Sequence, residues 1–134
     1  IGLIVGTQSD LFLAFIVPSV KIPSNKTQWI YGHFSVERVQ SHPSIERMRA
    51  ALQAQNAARV AQETGNVFET IDLPEYAPVF QLIKELKSVG GVHNAILAGA
   101  GPTVCAVCEN EQAARRIVRQ YSSKGLQAFF TRTA

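Results

Sequence analysis

Two short β-prone runs, Asn94 to Ala98 and Thr103 to Cys108, flank the turn Gly99-Ala100-Gly101-Pro102, and this hairpin constrains the fold more than any other stretch of the chain. Two glycines around one small residue reach backbone angles closed to other residues. The turn therefore has two readings: a tight connection answering only to sterics, or a concavity of backbone N–H groups able to hold an anion, with phosphate the natural guest.

The rest of the chain supplies the elements that must pack around the hairpin. Leu11 to Val17 is an apolar, β-rich run ended by Pro18, which predicts a central strand covered on both sides. A long connection from Ser19 to Gln40 gathers Trp29, Tyr31, His33 and Phe34, an aromatic load typical of loops that carry binding residues. Ile45, Met48, Ala51 and Leu52 recur at helical spacing, and Asn56 opens a second short helix that Gly65 ends. Asn66 followed by Glu69 is a capping pair that reciprocally satisfies the first free N–H groups of a further helix. Pro78 suits the first turn of a longer helix with Val79, Leu82, Ile83 and Leu86 on one face and Gly90-Gly91 at its end. After the hairpin, Asn110 to about Lys124 reads as a helix stopped by Gly125, and Leu126 to Thr131 as a last strand.

The order strand, helices, strand, strand, helix, strand is that of a ferredoxin-like split βαβ sandwich with an enlarged first crossover. The expected class is α+β, a largely antiparallel four-stranded sheet with helices on one face. A length of 134 residues suits a single domain, 1–134. The opening Ile1-Gly2-Leu3-Ile4 has neither an initiator Met nor a leader pattern, so the chain reads as a piece of something longer.

Several kinds of chemistry find no support. The longest apolar run, Leu11 to Val17, is far short of the roughly twenty residues that cross a bilayer, so no membrane partner is expected. A net charge of +3 is modest, and the cations Lys84, Lys87, Arg115, Arg116 and Arg119 are not interleaved with aromatics, which favours free nucleotide over nucleic acid as an anionic partner. Cys105 and Cys108 stand three apart in a strand, on opposite faces, and cannot share a metal or a bond; they read as small apolar residues of a reducing, cytoplasmic compartment. His33, His42 and His93 lack ligand spacing, so no metal is expected. The glycine turn is neither a Walker loop, since no Gly-Lys-Ser/Thr follows, nor a dinucleotide fingerprint, since a strand comes next. Asp10, Glu63, Asp72 and Glu75 read as caps and solvated turn residues.

Three segments in order, Gly65-Asn66-Val67-Phe68-Glu69, then the helix opened by Pro78, then Leu97 to Val104, resemble the C-terminal half of GHMP-type small-molecule kinases. Within that superfamily the chain is most similar to the 4-diphosphocytidyl-2-C-methyl-D-erythritol kinase family, from about Leu11 to Thr131. The resemblance implies that the glycine turn walls the phosphate region of an active cleft, with Gly99, Gly101 and Thr103 matching the family motif. Ala98 and Ala100 replace serines common there, so backbone N–H groups, that of Ala100 included, carry more of the contact. Thr27 and Tyr31 reproduce the spacing of a threonine and an aromatic that stacks on the substrate's cytosine; Trp29 is the alternate ring, and Ser24 the alternate hydroxyl. ATP, Mg²⁺ and the catalytic residues belong, on this resemblance, to an N-terminal domain absent from the chain. The implied substrate is the cytidine diphosphate-linked methylerythritol; this piece alone is expected to hold no cofactor, to contain no catalytic residue and to be inactive. Two other readings stay open: another GHMP kinase acting on homoserine or a mevalonate-like alcohol, and a non-catalytic module that binds an effector or a protein.

Overall fold

The computed structural model describes residues 10–39, 42–71 and 73–133. The opening Ile1 to Ile4, Gln40 at the end of the aromatic connection, and Asp72 lie outside the described residues. Four strands, β1 (Phe12–Val17), β2 (Val92–Leu97), β3 (Val104–Cys108) and β4 (Gln127–Arg132), form one sheet in the order β2-β3-β1-β4, with every neighbouring pair antiparallel. This is the expected split βαβ arrangement, with β1 and β3 central.

Among the described residues, five α-helices accompany the sheet: α1 (Lys26–Gly32), α2 (Ile45–Gln53), α3 (Ala57–Gln62), α4 (Ala77–Lys87) and α5 (Glu111–Ser123). Asn56 and Asn110, which open helices in the sequence reading, each accept the backbone N–H three residues on, and Ser44 caps α2 in the same way. Helices α4 and α5 lay Val79, Leu82, Ile83, Leu86, Ala113, Ala114, Ile117 and Tyr121 on one face of the sheet. There Ala95, Ala106 and Ala14 lie side by side across β2, β3 and β1, all fully buried, a shallow trough that small side chains leave for the helices.

The reverse face carries Leu13, Phe15, Ile96, Cys105 and Val107, with Ala61 of α3 packed against them. Asn94 fixes α3 there, donating to the Ala61 carbonyl at 2.7 Å and to the Thr64 hydroxyl at 3.2 Å. The alternation of faces sends Cys105 to the reverse side and Cys108 to the helix side, as their spacing requires. Burial pushes the Cys105 thiol up to about 12 and the Cys108 thiol up to about 11, although Arg116 pulls the latter down. Among the described residues no helix is long and apolar enough to cross a membrane.

Candidate functional site

The hairpin tip begins as a tight turn in which the Gly101 N–H donates to the Ala98 carbonyl at 2.9 Å and the Ala98 N–H to the Thr103 carbonyl at 2.9 Å. Gly99 occupies the first central position at φ +58 and Ala100 the second, the pattern that asks for glycine first. Gly101 follows at φ +74 and is buried, pressed against Leu97 and Tyr76. A cis peptide bond joins it to Pro102.

What distinguishes this turn is where its carbonyls go. Asn66 donates one amide group to both the Leu97 carbonyl, at 2.8 Å, and the Gly99 carbonyl, at 2.7 Å. The Tyr76 hydroxyl donates to the Ala100 carbonyl at 2.7 Å, and the Lys26 ammonium to the Gly101 carbonyl at 2.8 Å. Three consecutive carbonyls are thus held by side chains from three separate segments. The N–H groups of Gly99 and Ala100 have no partner among the described residues. The turn presents donors without acceptors, which is the polarity an anion needs.

The segment that supplies Asn66 is itself built by the capping pair. Asn66 accepts the Phe68 N–H at 3.0 Å and starts a single 3₁₀ turn, Val67–Thr70, where sequence predicts a further helix. The Glu69 carboxylate accepts the backbone N–H groups of Asn66 and Leu97. Burial raises the Glu69 pKa, against the lowering effect of nearby Lys87 and of those two backbone bonds. The pair therefore clasps the edge strand β2 and, through Asn66, the turn, which goes beyond capping.

Helix α1 lies within the long connection, where sequence predicts an irregular loop. Ile30 is fully buried and Lys26, one turn earlier, faces the domain, so Thr27 and Tyr31 share an exposed strip. The Tyr31 ring is 59% exposed and meets Phe68 edge-on, with centroids 4.9 Å apart and planes at 88°. Phe68 also meets Phe34 at 5.5 Å, which backs it firmly. Trp29 is half-buried against Tyr76 at 5.7 Å and His33 at 5.6 Å, so its ring supports the tyrosine that holds the turn. Ser24 is exposed. Tyr31 is linked to Gly99 through Phe68 and Asn66, a chain of three contacts. Thr103 sits half-buried at the exit of the turn. Sequence reasoning missed Lys26 and Tyr76, whose bonds to the turn span 75 and 24 residues and leave no local signal.

A separate cleft of about 340 Å³ lies along the outer flank of β2, lined in part by His42, Arg47, Glu63, Asn66, Glu69 and Lys87. Arg47 and Glu63 pair at 2.9 Å beside it. The turn, Thr27 and Tyr31 do not line this cleft. Among the described residues, no three His, Cys, Asp or Glu side chains come together as a metal-holding group.

Residues 48–127 match the family model described as GHMP kinases C terminal. A curated relative, the 4-diphosphocytidyl-2-C-methyl-D-erythritol kinase of Lachnoclostridium phytofermentans, is 31% identical over 125 residues, covering 92% of this chain and 42% of that protein. The chain thus spans less than half the length of that relative. A crystal structure of 4-(cytidine 5'-diphospho)-2C-methyl-D-erythritol kinase superposes with a TM-score of 0.72 at 15% identity, over 93% of this chain and 43% of that one. The Streptococcus pneumoniae phosphomevalonate kinase gives 0.66 at 15% identity, over 96% of this chain and 42% of its own. At those identities the two structures speak to the fold.

Proposed function

The chain belongs to the GHMP kinase C-terminal family, and from that premise we propose that it is the substrate-side domain of an ATP-dependent kinase. The reaction is phosphorylation of the 2-hydroxyl of 4-diphosphocytidyl-2-C-methyl-D-erythritol, a step of non-mevalonate isoprenoid biosynthesis in the cytoplasm. The relative named above supports the choice of substrate. The observation that carries the chain's own part is the turn with its carbonyls bound inward and the Gly99 and Ala100 N–H groups unspent.

In this reading the two N–H groups receive oxygens of the substrate's diphosphate, with Thr103 beside them. Tyr31 offers its exposed face to the cytosine, and Thr27, one helical turn away on the same strip, offers a hydroxyl to the same moiety. Holding the substrate in one orientation is the domain's contribution to phosphoryl transfer, which depends on positioning and charge stabilisation.

The donor set at the turn suits phosphate oxygens. It does not suit Mg²⁺, which takes oxygen ligands, because the carboxylate built into the site, Glu69, is committed to two backbone N–H groups. ATP supplies the phosphoryl group and Mg²⁺ its charge neutralisation, and both are assigned to a preceding ATP-binding domain outside this chain. The domain alone is inactive and has no nucleic-acid or membrane partner.

Isothermal titration of this chain with cytidine diphosphate, together with turnover of the intact protein on ATP and the methylerythritol substrate, tests the reading. Weak binding by the chain and turnover only by the intact protein are expected. No binding by the chain and no ATP consumption by the intact protein overturn it.

A further inference from the structure

We propose that Lys26 is itself a ligand of the diphosphate at the glycine turn, and not merely a brace for it. The inference rests on the reading of the turn as a phosphate site. An ammonium carries three N–H donors, and the Gly101 carbonyl at 2.8 Å takes one of them. Lys26 is half-buried and no carboxylate lies within ion-pairing distance of it among the described residues, whereas Arg47, Arg115 and Arg132 face Glu63, Glu111 and Asp10 at 2.9, 3.7 and 3.3 Å. A partly desolvated cation bonded only to a neutral carbonyl is electrostatically incomplete.

The same turn holds the Gly99 and Ala100 N–H groups, also unspent, while all three of its carbonyls are occupied. Two kinds of donor thus belong to one turn, each of whose three carbonyls already accepts a side-chain donor. A ligand with several clustered anionic oxygens satisfies both at once, and charge-assisted bonds of this type are the strong ones.

The chain is titrated with inorganic pyrophosphate, cytidine diphosphate and cytidine at low and raised salt. The unaltered chain is expected to bind pyrophosphate. Lys26→Met is expected to weaken it about tenfold, equivalent to about 1.4 kcal/mol, and to flatten the loss of affinity with salt. Lys26→Arg is expected to keep most of the affinity, and cytidine binding to be unmoved by either substitution. A mere brace loses melting temperature without changing the salt dependence. In the unaltered chain, the Lys26 13Cε resonance is expected to shift with pyrophosphate in step with the Gly99 and Ala100 amides, a readout that stands even if Lys26→Met does not fold. Pyrophosphate binding with a stationary Lys26 resonance, or with equal affinity and salt dependence in Lys26→Met, overturns the role of Lys26 and leaves the turn's role standing. If the unaltered chain binds neither pyrophosphate nor cytidine diphosphate, the reading of the turn fails and the role of Lys26 falls with it.

Discussion

Adding one methyl group at Gly99 and one at Gly101 separates the conformational demand of the turn from its packing demand. Both residues have positive φ, +58 and +74, so alanine at either site meets the left-handed penalty of about 1–2 kcal/mol. A Cβ at Gly99 finds no heavy atom within 4 Å. Part of its penalty is offset by about 0.4–1 kcal/mol through the stiffer unfolded chain, leaving a loss of about 1 kcal/mol. A Cβ at Gly101 falls 2.7 Å from Leu97 Cδ1 and 3.1 Å from Tyr76 Cε2, both in the core. Overpacking of that kind costs about 1–3 kcal/mol more, so Gly101→Ala is expected to lose about 2–4 kcal/mol. Urea unfolding followed by the fluorescence of Trp29, which packs on Tyr76, reads both values. Equal losses at the two positions would refute the close approach of Tyr76 and Leu97 to the turn, and with it the account of how the Ala100 carbonyl is held.

Removing the hydroxyl in Tyr76→Phe is expected to lower stability by about 0.5–1.5 kcal/mol, the net worth of one hydrogen bond, read from the urea midpoint. Asn66→Asp puts a carboxylate against the Leu97 and Gly99 carbonyls while keeping the Phe68 N–H bond. Its two lost bonds cost about 1–3 kcal/mol together, and amide exchange at Gly101, whose N–H closes the turn onto the Ala98 carbonyl, should quicken. Tyr31→Ala leaves the urea midpoint nearly unchanged because the ring is largely exposed, yet lowers cytidine diphosphate affinity by about 1–3 kcal/mol, the worth of one base stacked on an aromatic. The raised thiol values at Cys105 and Cys108 mean that the folded chain keeps protons the unfolded chain releases. Their contribution is therefore intact below the ordinary thiol value of 9 and is lost as pH rises from there toward about 11 and about 12. Iodoacetamide at pH 8 should label both thiols only after denaturation.

The fold was legible because its elements announce themselves locally. The apolar run ending at Pro18 became β1, and the caps and stripes of α4 and α5 lie within a residue or two of their expected places. Helix α1 was hidden for a physical reason: its seven residues include Trp29, Ile30 and Tyr31, which favour strands, and Asn25 makes no capping bond. The start of β2 at Val92 was equally hidden, since the irregularity between Val92 and Asn94 breaks the alternation that marks a strand. Helix α3 was announced by Asn56, which caps it as the sequence suggests.

The site divides along a different line. Sequence placed Gly99, Ala100 and Gly101 at a hairpin tip but left open whether sterics or an anion explains them, and the structure shows why local reading stops there. Gly101 answers to sterics, being wedged against Leu97 and Tyr76. The polarity of the tip comes instead from donors 33, 24 and 75 residues away, at Asn66, Tyr76 and Lys26. A turn of the same sequence without those three side chains would show its carbonyls as readily as its N–H groups and attract an anion no better than a cation. The donor-only polarity of this tip is therefore a product of tertiary packing. It follows that loosening any one of the three donors should weaken pyrophosphate binding even where the glycines are untouched.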